Sequence, residues 1–107
     1  MAITWKVLGQ QVLGAAAAAV YTAPTATSAS VTAAQAWNPG AAAVVVDVFL
    51  APPLGTAADA THIERVSVPA ASAATLYGVI NQKIIPGAAI YAIGAGVTMT
   101  VSGAESV

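Results

Sequence analysis

The segment around the single histidine holds the residue types that could bind a metal ion. His62 and Glu64 lie two positions apart on a predicted strand, which would put both side chains on one face, and Asp59 lies in the preceding loop. A stable zinc site needs at least one more strong ligand and supporting hydrogen bonds. The chain has one histidine and no cysteine. We therefore expect a polar surface cluster here, with no metal and no other cofactor.

Serine, histidine and aspartate all occur, but their order does not predict nucleophilic catalysis. The sequence has neither a G-x-S-x-G nucleophile motif nor a G-x-x-x-x-G-K phosphate-binding loop. Four acidic residues in 107 also leave little scope for a pair of carboxylates acting as acid and base. We expect no catalytic residues, and the protein is predicted not to be an enzyme.

Asp47 is the one charge in the apolar segment VVVDVFL. A carboxylate in a dry core costs several kcal/mol unless it is paired or hydrogen-bonded. One interpretation is a salt bridge between subunits, with Lys6, Arg65 or Lys83 as the partner. The other, which we prefer, is an exposed charge that prevents a strand edge from pairing with another molecule.

The low charge restricts the class of protein. Charged residues make up 7% of the chain and the net charge is −1, whereas about 25% is usual in a soluble domain. Three basic residues cannot form a surface that follows phosphates, so nucleic acid is not a predicted partner. A surface so poor in charge would associate in water. The chain is therefore expected either to enter a membrane or to be covered by protein partners.

Two long uncharged runs test the membrane alternative. A spanning helix needs about 20 predominantly apolar residues. The run 12–23 is too short and ends at Pro24, and the run 84–104 is interrupted by a proline and four glycines. No membrane-spanning helix is predicted. A secretory signal peptide is a further alternative for the N-terminus, with Lys6 as its charge and VLGAAAAAVYTA as its apolar part.

Alternation with a period of two predicts strands along most of the chain. In SASVTAAQAWN, Val31, Ala33 and Trp37 fall on one face, and a loop at 14–17 is expected before a strand that ends at Pro24. Proline and glycine mark turns between the strands. Besides the strand that ends at Pro24, the predicted strands are TWKVLGQ, SASVTAAQAWN, AVVVDVFLA, HIERVSV, ATLYGVI, AAIYAIG and VTMTVS.

These patterns predict an all-β chain. Seven to eight short strands with little helix favour an antiparallel β-sandwich or a jelly-roll-like barrel. Residues 1–107 form one predicted domain, of which 1–17 are either an N-terminal arm or a first strand.

The order of short motifs resembles that of small β-sandwich virion proteins of tailed bacteriophages. The resemblance lies in Tyr21–Pro24, in Ala26–Ala29, and in the turn Trp37–Gly40, with IERVSVPAASAATL and a late glycine-rich hairpin after them. It implies a structural protein without enzymatic activity or cofactors. Such proteins are either capsid decoration (cement) proteins or accessories of the tail, fibre or baseplate.

The expected function is that of a capsid decoration protein on the exterior of a virion assembled in the host cytoplasm. Its partners would be the major capsid protein and copies of itself, with a trimer favoured. The alternatives are a tail, fibre or baseplate accessory, a carbohydrate-binding module of the virion, and a secreted pilus-like subunit. The residues expected at the protein interface are Trp5, Leu8, Leu54 and Asp47.

Overall fold

The computed structural model describes residues 3–107, and these form two antiparallel sheets packed face to face. A short 3-10 turn at Asp59–Thr61 is the only helical element of this part of the chain. The strands are β1 (Ile3–Val12), β2 (Ala18–Thr22), β3 (Ser28–Asn38), β4 (Val44–Ala51), β5 (His62–Val68), β6 (Ser72–Thr75), β7 (Lys83–Ile84), β8 (Ala89–Ile93) and β9 (Thr98–Ser106).

Each sheet is built from strands that are distant in sequence. Sheet A has the order β1-β9-β3-β6, with the short β7 also paired to β3, and sheet B has the order β2-β8-β4-β5. The predicted antiparallel β-sandwich is confirmed. Nine strands replace the expected seven or eight, because β7 has only two residues and no sequence pattern of its own.

Alternating apolar side chains from both sheets fill the space between them. Met99 and Val101 of β9 face Val46 and Val48 of β4 across a core in which all four are fully buried. Full burial of one such side chain contributes about 1.5–3 kcal/mol. The predicted inward face of VTMTVS is therefore correct, and β4 is a central strand as its apolar sequence indicated.

A bulge in β3 reverses the predicted faces of its second half. The pairing with β9 shifts between Val31 and Ala33, so that Ala34 and Ala36 point into the core. Trp37 is consequently 44% exposed on the outer face of sheet A. The prediction that Ala33 and Trp37 share the face of Val31 is wrong, because one extra residue moves every later side chain to the opposite face.

The segment ATLYGVI was also wrongly predicted as a strand. β6 ends at Thr75, and the chain then follows a series of turns. The amide of Val79 donates to the carbonyl of Leu76 at 3.0 Å, a local bond that a strand does not make. Leu76 and Val79 are nonetheless fully buried. The apolar pattern therefore indicated burial and not extended backbone.

The N-terminal predictions concern residues 1–17, of which the first two lie outside the described residues. Residues 3–12 form β1 within sheet A, so this part is a strand of the sandwich. A loop then covers residues 13–17 before β2, as predicted. Residues 3–107 contain no helix that is both long and apolar enough to cross a membrane.

Candidate functional site

The outer face of sheet A concentrates the exposed apolar side chains of the described residues. Ile3, Trp5 and Val7 alternate along β1 and are 60%, 71% and 55% exposed. Val12 and Trp37 lie on the same face, because both pair with Thr98 of β9 from opposite sides. Half of the ten large exposed apolar residues of the described chain thus lie on one face of one sheet.

A groove of about 380 Å³ crosses this face near one end. Its floor consists of small residues because β9 and β3 place Ala104 and Ser30 side by side. On β1, Trp5 pairs with Ala104, and its side chain forms one wall of the groove. The side chain of Ile85 forms the other wall. A flat apolar floor between two large side chains can receive an apolar group or an extended segment of protein.

Lys83 is the cation of this groove. Its Nζ donates to the hydroxyl of Ser30 at 3.0 Å and to the carbonyl of Asn81 at 3.2 Å. These bonds hold the lysine along the groove wall, where its aliphatic stem adds to the apolar surface. The groove can therefore accept an apolar ligand with a carboxylate or carbonyl at its Lys83 side.

Of the four predicted interface residues, Trp5 alone lies on this face. Trp5 is in the groove, as described above. Leu54 is fully exposed in the loop after β4, whose Pro52 borders a second depression next to Ile85. Leu8 shares β1 with Trp5 but is half-buried against the core, since the register of β1 shifts between Val7 and Gly9.

Asp47 lies on the outer face of sheet B, on the opposite side of the molecule. Its Oδ1 is 2.9 Å from Nε of Arg65 and 3.0 Å from Nε2 of His62, both on the neighbouring strand β5. The preferred interpretation, an exposed charge protecting a strand edge, is wrong because β4 is a central strand. The salt bridge expected between subunits is formed by Arg65 of the same chain.

The candidate metal ligands are separated by a second bulge. β5 shifts register against β4 so that Glu64 pairs with Val48 and His62 with Phe49. The prediction that His62 and Glu64 share a face is therefore wrong. Glu64 accepts the amide of Gly78 at 2.6 Å, while His62 lies against Asp47. Residues 3–107 contain no group of three side chains placed to hold a metal ion.

A carboxylate at the β1 side of the sandwich links the two sheets, and no pattern in the sequence indicates it. Oε2 of Glu105 accepts a hydrogen bond from the hydroxyl of Tyr21, and Oε1 accepts one from Lys6. These two bonds hold the pKa of Glu105 below its ordinary value. Burial, and then the Glu105 bond, raise the pKa of Tyr21 far above its ordinary value. Tyr21 and Glu105 are 84 positions apart, so no local pattern could have paired them.

The chain matches no protein-family model and no curated protein sequence.

Proposed function

We propose that this protein is a structural subunit of a virion, a capsid decoration protein that binds the shell of a tailed phage through the outer face of sheet A. Its partners would be the major capsid protein and copies of itself. It would act without a cofactor and without catalysis. The phage assignment rests on the resemblance of the YTAP and WNPG segments; the binding face rests on the distribution of apolar and charged side chains.

The observation that supports the proposal most directly is the contrast between the two outer faces. Sheet A presents Trp5, Val7 and Trp37 to solvent. Sheet B presents the ion pair of Asp47 and Arg65. An apolar face opposite a charged one suits a protein that lies flat on a partner and turns its other side to water, because interface centres are rich in aromatic residues and poor in charge.

The clustering of Ile3, Trp5 and Val7 at one end of this face also favours a permanent partner. Soluble monomers seldom leave large contiguous apolar areas open, and such areas mark interaction sites. Trp5 and Ile85 stand on either side of one groove, so a single inserted segment would contact both. Aromatic residues in such pockets contribute most of the binding energy of many interfaces.

Binding to particles that lack this protein tests the proposal. Trp5→Ser should weaken binding at least tenfold while leaving the thermal unfolding temperature almost unchanged, since the side chain is 71% exposed. Val45→Ser is the matched control, because Val45 is an exposed valine on sheet B. Equal resistance to heat and low salt of particles with and without the protein would refute the cementing role.

A tail or fibre accessory that binds carbohydrate is the second candidate. It is supported by the position of Trp5 beside the hydroxyls of Ser28 and Ser30, a combination that can stack on a sugar ring and hydrogen-bond to it. Copy number distinguishes the two: hundreds of copies per particle indicate the shell, and about a dozen or fewer indicate the tail. Quenching of the total tryptophan fluorescence by host-surface glycans, lost in Trp5→Ser although Trp37 still fluoresces, would favour the second candidate.

A further inference from the structure

The first half of β1 is an unpaired strand edge. β1 pairs with β9 along one side only, and no other strand of residues 3–107 pairs with its opposite side. At Gly9 the strand touches β2, since a Cβ at that position would lie 2.2 Å from the carbonyl oxygen of Val20. The free edge is therefore the stretch Ile3–Val7. Its outward N–H and C=O groups are a template for a further strand.

The other sheet edges are protected in ways that β1 is not. β5 has a bulge and three ionisable residues and is followed by Pro69. β2 is short, bulged and approached by β1 at Gly9, and β6 has only four residues. β1 is ten residues long, has no proline and has Lys6 as its one charge, and its bulge lies after Val7, outside the free stretch Ile3–Val7. An edge without these protections is a template for pairing with a strand of another chain.

The free edge is complementary to itself. In an antiparallel pair of two β1 strands centred on Trp5, Ile3 lies opposite Val7 of the second copy and Trp5 opposite Trp5. All three pairs on the outer face then join large apolar side chains. On the other face Thr4 lies opposite Lys6, so the two lysines do not meet. If the strand pair were centred on Lys6 instead, the lysines of the two copies would lie directly opposite each other, and like charges in that position are unfavourable.

We propose that two copies of this chain pair through the Ile3–Val7 edges of β1, antiparallel about a two-fold axis at Trp5, so that sheet A continues across a homodimer. This inference goes beyond the proposed function, because it specifies the contact and its symmetry and holds for a head or a tail protein alike. It places two copies of the Trp5 groove side by side on one continuous face. The pairing is isologous and closes at two copies, in place of the trimer expected from the sequence.

Sedimentation of the purified chain over a range of concentrations tests the symmetry. We expect a reversible dimer. Thr4→Lys should raise its dissociation constant about tenfold at low salt, because it places a lysine opposite Lys6 twice in each dimer. The same change should not weaken the protomer, since Thr4 pairs with Glu105 within the chain. Added salt should restore most of the affinity.

Ser67→Lys is the control for charge, because it adds the same charge to an exposed position on the edge strand of sheet B. It should leave the dimer intact. A monomer or a trimer of the unmodified chain, or a dimer weakened by Ser67→Lys and not by Thr4→Lys, would overturn the inference. A trimer or a contact through β5 would leave the proposed virion function standing, whereas failure to bind particles would refute that function and not this contact.

Engineered disulfides test the register without relying on a charge. The chain has no cysteine of its own. A mixture of Ile3→Cys and Val7→Cys chains should form a covalent dimer on mild oxidation, because paired residues bring their Cβ atoms to about 4.5–5.5 Å. A dimer of one variant alone should not become covalent. Its two cysteines, one on each copy, would be four residues apart along the strands, or roughly 13 Å at about 3.3 Å per residue. Cross-linking of either single variant, or none in the mixture, would overturn the register.

Discussion

The hydroxyl of Tyr21 donates a 2.5 Å hydrogen bond to Oε2 of Glu105 and thereby joins β2 of sheet B to β9 of sheet A. Lys6 of β1 donates to the other oxygen of the same carboxylate at 3.0 Å. One carboxylate thus joins β1, β2 and β9 at the β1 side of the sandwich. This side of the molecule also bears the free edge of β1, so the same group holds the proposed interface strand in place.

Tyr21→Phe removes this hydrogen bond without changing the shape of the buried ring. We expect a loss of about 1–2 kcal/mol in the free energy of unfolding, because the carboxylate loses one of its two donors. Urea denaturation measures the loss. Tyr77→Phe is the control, since Tyr77 is exposed, and it should change stability by less than about 0.5 kcal/mol. Equal effects of the two substitutions would contradict the prediction.

Stability should fall in acid through Glu105. Its pKa is lowered from the ordinary 4.5 in the folded state by the bonds from Tyr21 and Lys6. The stabilisation is therefore complete above that ordinary value and is lost as the pH falls through the lower, folded-state pKa. Thermal unfolding between about pH 6 and pH 3 should show a smaller decline for Glu105→Gln than for the unmodified chain. Identical declines would show that other carboxylates dominate.

Asn38 is a buried amide that closes the turn after β3. Its Nδ2 donates to the carbonyls of Ala42 at 2.8 Å and Val68 at 3.1 Å, and its Oδ1 accepts the amide of Gly40 at 3.0 Å. Asn38→Ala should destabilise the fold by about 2–3 kcal/mol, because buried carbonyls lose their donor. Gln35→Ala, at an exposed position of the same strand, should be nearly neutral in the same urea experiment.

Gly103 is required by the close approach of β9 and β3. A Cβ at this position would lie 2.0 Å from the carbonyl oxygen of Ser30, which is backbone and cannot rotate away. Gly103→Ala should therefore cost about 2–3 kcal/mol. Gly14→Ala is the control because no atom lies within 4 Å of its added Cβ. A calorimetric scan that ranks Gly14→Ala as the more harmful change would contradict the described register.

The Asp47–Arg65 pair should contribute a modest and salt-sensitive coupling. The 2.9 Å contact lies on the outer face of sheet B, and Arg65 is largely exposed. A double-mutant cycle with Asp47→Asn and Arg65→Gln should give roughly 0.5–1 kcal/mol in low salt and less at high salt. A coupling near zero would mean that Asp47 interacts mainly with His62.

Local patterns in the chain were sufficient for the class of fold and for most strands. Alternation in 97–102, the apolar run of β4, and the proline and glycine turns each depend on neighbouring residues alone. The low charge favoured a surface covered by protein partners, and Trp5 was predicted to lie at a protein interface; the structure shows that its side chain is exposed. The interface, the partners of the protein and the homodimer remain predictions.

The face that each side chain occupies, and the distant groups that come into contact, depend on the tertiary structure and not on local sequence. Bulges at Val31 and near His62 each insert one residue, and a period of two cannot survive an insertion whose position depends on the partner strand. Trp37 and His62 were misplaced for this reason. The Tyr21–Glu105 bond likewise exists because β2 and β9 end at the same side of the sandwich, and strand order is set by packing between segments far apart in the chain.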